Sequence, residues 1–89
     1  GPTAPAALAA PTAGEARYAK YKCQMCHAIG GKGGKMGGAL DKTGAKYDKA
    51  KLALYSLDPK KVNPKSKMPK GKMTPAEADQ IGEYLAGLK

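Results

Sequence analysis

Both cysteines and the only histidine of the chain fall within one short stretch, Cys23-Gln24-Met25-Cys26-His27. This cluster constrains the fold more than any other feature, because each use of such a group demands different surroundings. A zinc site asks for about four ligands, and one Cys-x-x-Cys plus one His supplies three, with no second pair elsewhere. A thioredoxin-like redox motif follows a strand in a βαβ pattern, and one Val, two Ile and four Thr are too few to build a sheet. A plain disulfide would use Cys23 and Cys26 and leave His27 idle. A covalently attached haem gives all three a use. On a helical turn, residues three apart share a face, so Cys23 and Cys26 can each form a thioether to one of two neighbouring vinyl groups. His27, next in line, can then turn its imidazole toward the iron.

Length sharpens this reading. Eighty-nine residues allow one small domain with a modest core. There is no Trp and no Phe, and five Tyr are the only large rings. A haem supplies the missing apolar bulk and staples the fold. Twelve Gly and seven Pro make much of the middle a loop that wraps the ring. Sixteen Lys and Arg against seven acids give a formal charge of +9, which implies partners with acidic surfaces. Nucleic acid is excluded, because the lysines are scattered and no groove-reading or RNA-recognition pattern accompanies them. No apolar run approaches the roughly 18 residues that a membrane-spanning helix needs.

Taken in order, residues 1–12 are Ala/Pro-rich and uncharged, as in a disordered tail or linker, through which tethering to a membrane or a larger enzyme is conceivable. Gly1-Pro2 reads as a scar of tag removal. Helix propensity begins at Ala13 and runs to about Lys22, with Gly14 a candidate for a close helix crossing. The glycine-rich stretch from Ala28 to Gly38 lacks the ending of a phosphate-binding loop. It reads as backbone that approaches a haem face, one of its carbonyls accepting the His27 Nδ1 proton. A second helix spans Tyr47 to Leu57, capped by Asp48 and stopped before Pro59. A lysine- and proline-rich loop follows. The last helix opens on Thr74, Pro75 and Glu77, a capping box, and carries Ala78, Ile81, Leu85 and Leu88 at helical spacing.

His27 leaves the other side of an iron open, and four methionines are candidates to fill it. Met25 sits inside the attachment motif, and Met36 lies in a loop with nothing to hold it. Met68 is favoured because Pro69 fixes the chain direction after it. Met73 is the alternative, although just before the Thr74 cap an apolar residue more often serves as a hydrophobic staple. Thioether sulfur is a soft ligand that favours ferrous iron and raises the reduction potential. Further candidate haem contacts are Ile29, Leu40, Tyr47, Leu52, Tyr55, Asn63 and Pro69. Candidate docking residues are Lys22, Lys32 and Lys35 around the attachment motif and Lys65, Lys67, Lys70 and Lys72 around Met68.

With these residues in hand, the chain resembles a small class I c-type cytochrome, of the kind bacteria use as single-haem electron carriers. The resemblance covers about residues 13–89. It rests on Gly14 and Tyr18, the Cys23–His27 motif, the stretch Asp58-Pro59-Lys60-Lys61-Val62-Asn63-Pro64-Lys65-Ser66-Lys67-Met68-Pro69, and Ile81, Tyr84 and Leu85. It implies an all-α cytochrome c fold of about three to four short helices, the first and last crossing. It also implies one covalent haem c, axial ligands His27 and Met68, and a periplasmic or otherwise extracytoplasmic location. Where family members place a proline to support the proximal histidine, this chain has Gly37-Gly38-Ala39-Leu40. The expected function is one-electron transfer by a monomer, a carrier and not an enzyme. The alternatives are a haem domain of a larger redox enzyme, or a ligand-binding or peroxidase-like protein with an open iron. The latter would lack a distal histidine, His27 being the only one.

Overall fold

Helix α5 (Pro75–Ala86) lies between α1 (Ala10–Lys20) and α3 (Lys49–Leu57) and carries the core. The computed structural model describes residues 10–89, so most of the expected tail lies outside the described residues. The first helix begins at Ala10, earlier than its propensity suggested, with Pro11 in the first turn, where a missing N–H is one of the orphans anyway. It ends at Lys20.

The boundary of α5 follows from local chemistry. Thr74 Oγ1 accepts the Glu77 amide at 3.2 Å, and Glu77 Oε1 accepts the Thr74 amide at 3.1 Å, so the expected capping box is present. Ala78, Ile81 and Leu85 bury the apolar stripe and cluster with Tyr18, Leu52, Ala53 and Met73. Full burial of a side chain such as Ile81 contributes about 2 kcal/mol. Leu88 is only half-buried.

Two glycines let the helices approach. A Cβ at Gly14 would collide with the Gln80 carbonyl and sit 2.5 Å from Tyr84 Cβ, so the crossing of α1 over α5 requires glycine there. A Cβ at Gly82 would lie 2.5 Å from the Lys49 carbonyl, which sets the α3 crossing in the same way. Tyr18 and Tyr84 meet edge to face at the first crossing, their centroids 5.9 Å apart. Polar groups fasten its end: Tyr21 donates to Glu77 at 2.5 Å, Lys20 to Glu77 at 3.0 Å, and Arg17 to Gln80 at 3.0 Å.

The middle of the chain is more divided than expected. Helix α2 (Thr43–Lys46) precedes Tyr47, whose extended backbone separates it from α3. Asp48 then caps α3, accepting the Lys51 amide at 2.8 Å. Asp58 stops α3 before Pro59 as anticipated, but Pro59 opens a further turn, α4 (Pro59–Val62), in place of a loop. Proline suits a first helical position. The described residues therefore hold five α-helices where three to four were expected.

A small sheet replaces the expected glycine loop. Strand β1 (His27–Ile29) pairs antiparallel with β2 (Lys32–Gly33) and parallel with β3 (Gly38–Ala39). The pairing of Ile29 with Lys32 leaves Gly30-Gly31 as a two-residue hairpin, with φ of 60° and 79°. Positive φ at both central positions is the tight hairpin turn that glycine permits. Too few β-branched residues exist for a packed sheet, and none is needed: these two- and three-residue strands pair through main-chain hydrogen bonds, with the Asp41 carboxylate accepting the Gly30 amide at 2.6 Å beside them.

Candidate functional site

The attachment motif forms a single 3₁₀ turn, Cys23–Met25, entered through Lys22 in the left-handed conformation at φ 58°. The Cys26 amide bonds the Cys23 carbonyl at 3.2 Å. In a 3₁₀ turn, positions three apart eclipse one another, and both cysteines accordingly line one cavity. Both are free; Cys23 is half-buried, and burial pushes its thiol pKa up, while Cys26 is exposed.

His27 follows in β1, and its register opposite Gly38 sets its side chain. Its Nδ1 lies 3.1 Å from the Gly38 carbonyl. With the carbonyl as acceptor, Nδ1 carries the proton and Nε2 keeps a free lone pair for a metal. Gly37 lies against the ring, where a Cβ would come within 2.5 Å of Cε1 and 2.8 Å of Nδ1. The Gly37 amide in turn bonds the Cys26 carbonyl at 2.6 Å. Glycines thus stand where a supporting proline was the familiar solution, and the carbonyl that serves His27 belongs to Gly38.

Cys23, Cys26, His27 and Met68 all line one cavity of about 480 Å³. Met68 is half-buried, and its amide donates to Ser66 Oγ at 3.2 Å. Met73 is elsewhere: 8% exposed, it packs into the apolar cluster beside Gly71 and is not on the cavity wall. Among the described residues no group of three or more His, Cys, Asp or Glu converges as a bare metal ion would need. A cavity of this size with sulfur and imidazole donors on its wall instead suits a ligand with the bulk of a cofactor.

A family model described as Cytochrome c matches residues 11–89. The chain belongs to the cytochrome c family. Comparisons with curated proteins and with solved structures returned no match. This cytochrome is therefore a haem-binding electron-transfer protein, and its mostly helical architecture fits the family's fold. No helix among the described residues is long and apolar enough to cross a membrane.

The cavity of the cytochrome fits a haem by the chemistry of its donors. Two thiols are available for thioethers, and a nitrogen and a thioether sulfur are available for iron. Leu40, Tyr47, Leu52, Tyr55 and Pro69, named from the sequence, are on the wall. Ile29 and Asn63 are not. Ile29 packs against the core from β1, and Asn63 Oδ1 accepts the Lys65 amide at 3.1 Å within the lysine-rich turn.

Several wall residues escape sequence reasoning. Ile81 and Leu85 serve the core and the cavity at once, which no helical periodicity reveals. Ser56 and Ser66 are buried polar groups there, and Met36 reaches the wall while 90% exposed. Tyr18 lines the cavity with its hydroxyl buried and without a hydrogen-bond partner among the described residues, and burial pushes its pKa up to about 12. A buried hydroxyl without a partner is costly, so its position on the wall of a cofactor cavity is where one expects it. Of the lysines, all seven docking candidates are exposed, but only Lys67 lines the cavity, together with Lys46. Lys70 pairs with Asp58 at 3.8 Å.

Proposed function

We propose that this cytochrome c is a one-electron carrier of the bacterial class I type, holding a single haem c through thioethers at Cys23 and Cys26 and axial ligands His27 and Met68. The observation that carries the reading is that these four side chains line one cavity while the Nδ1 side of His27 is taken up by Gly38. Haem, when bound, supplies the one-electron iron couple. The Gly38 carbonyl fixes the His27 tautomer and raises its basicity as a ligand. Met68 offers a soft sulfur that favours the reduced state. The apolar side chains of Leu40, Leu52, Ile81 and Leu85 keep water away from the centre.

The exposed lysines fit a monomer that meets redox partners with acidic docking surfaces outside the cytoplasm. The Ala/Pro-rich sequence ahead of α1 suits a tether or linker, and in a larger redox enzyme the same domain would meet its partner at high effective concentration. A peroxidase-like reading has less support, since the sole histidine is committed to the attachment motif and Met68 occupies the wall.

The test is a pair of variants, Met68→Ala and Met73→Ala, read by the ferric absorption band of methionine-sulfur ligation and by the reduction potential. Met68→Ala is expected to abolish the band and lower the potential, with Met73→Ala keeping the band. Loss of the band in Met73→Ala alone would overturn the assignment.

A further inference from the structure

Ser66 is a buried residue among exposed lysines: it is 8% exposed, while Lys65 and Lys67 on either side face solvent. Its burial coincides with a set of hydrogen bonds that all concern the approach to Met68. The Ser66 amide donates to the Asn63 carbonyl at 2.9 Å. Lys60 Nζ, from α4, donates to the Ser66 carbonyl at 2.6 Å. Ser66 Oγ accepts the Met68 amide at 3.2 Å. Ser66 and Met68 both line the cavity.

A serine oxygen that binds the amide two residues on fixes chain direction locally, without help from regular secondary structure. That matters at Met68, which lies between α4 and α5 in a segment with no helix or strand of its own. Pro69 fixes the backbone only after Met68. Before it, the restraint is Ser66, and Ser66 is in turn anchored to a helix by the Lys60 ammonium.

We propose that Ser66 and Lys60 are positioning residues for Met68: they hold the turn so that the thioether stays on the cavity wall, and they set how readily a competing ligand displaces it. The inference rests on reading Met68 as an iron ligand. Without the Ser66 hydroxyl the Met68 amide loses its acceptor, the turn opens more often, and the fraction of protein ready to accept another ligand rises. The apparent affinity for that ligand scales with this fraction.

The experiment is titration of the ferric, haem-loaded protein with imidazole, followed by loss of the methionine-sulfur band. Ser66→Ala is expected to bind imidazole about tenfold more tightly than the parent, the size of effect that loss of one hydrogen bond gives, while keeping the band when imidazole is absent. Lys60→Met shifts in the same direction, whereas Lys61→Met, which removes a neighbouring charge, does not. Ser66→Thr, which keeps the hydroxyl, restores the parent affinity; failure of that rescue would overturn the role of the hydroxyl. Should Ser66→Ala not fold, the exposed Lys60 decides through Lys60→Met. Parent-like titration of Ser66→Ala and Lys60→Met, with the band lost in Met68→Ala, overturns this inference alone. Persistence of the band in Met68→Ala overturns the ligand reading and this inference with it.

Discussion

The imidazole of His27 rests against Gly37 so closely that a Cβ there would lie 2.5 Å from its Cε1. The contact means that residue 37 has no room for a side chain while His27 stands as it does. Its neighbour Gly38, at φ 83°, supplies the carbonyl for Nδ1.

Gly37→Ala is therefore expected to push the imidazole or the β3 strand out of place. Overpacking of this kind costs about 1–3 kcal/mol, and each kcal/mol lowers the Tm of a domain this size by roughly 4–8 °C. The haem-loaded variant should melt several degrees lower and show an altered potential. Gly87→Ala, where the nearest atom to an added Cβ is 3.4 Å away, is the control. Equal melting of the two variants would refute the packing argument.

The helix crossing makes a separate prediction. Gly14→Ala meets main chain at Gln80, which cannot swing aside as a flexible side chain can. Destabilisation should again fall in the range of about 1–3 kcal/mol. Because Gly14 is not on the cavity wall, the haem spectrum at low temperature should stay that of the parent. A Gly14→Ala protein with the parent's thermal midpoint would show that the two helices do not approach as described.

Acid should weaken the same crossing through Glu77. Hydrogen bonds from the Tyr21 hydroxyl, the Thr74 amide and the Lys20 ammonium hold its carboxyl well below the ordinary 4.5, at about 2. The unfolded chain thus takes up this proton first as the pH falls. The contribution of Glu77 to stability is complete above pH 4.5 and is lost on the way down to about 2. Glu77→Gln should be less stable at neutral pH and show a flatter fall in Tm across that acid window. Parallel curves for parent and variant would count against the role assigned to this carboxylate.

Electrostatic steering predicts that the rate of electron transfer to an acidic redox protein falls roughly tenfold or more from low to high ionic strength. Lys67→Glu should cost more than Lys70→Glu. Lys67 is at the cavity wall, and the Lys70 ammonium is already close to Asp58. A rate independent of salt would leave the lysines a solubility role only.

What was legible in the sequence was what short stretches decide for themselves. The Cys23–His27 spacing, the Thr74-to-Glu77 cap, the Asp48 cap and the stop before Pro59 each depend on a few adjacent residues. The Gly14 crossing could be suspected because glycine inside a helix calls for a reason. The three-stranded sheet was missed because its strands are two or three residues long and have no side-chain pattern, although Gly30-Gly31 carries the hairpin signal. Helices α2 and α4 are single turns set by the surrounding fold. Ser66 was hidden by its exposed lysine neighbours, and its one local clue was a serine placed two residues before Met68. Ile29 and Asn63 were plausible from position alone, and the fold uses them elsewhere.

The hold on His27 is made of main chain: a carbonyl from Gly38 at Nδ1 and the bare backbone of Gly37 at the ring. Neither group has a proton to gain or lose across the range in which proteins work. The acceptor behind this imidazole therefore keeps the same charge across that range, as a carboxylate standing there would not. The Gly38 carbonyl can thus accept the Nδ1 proton alike in acid and in neutral solution.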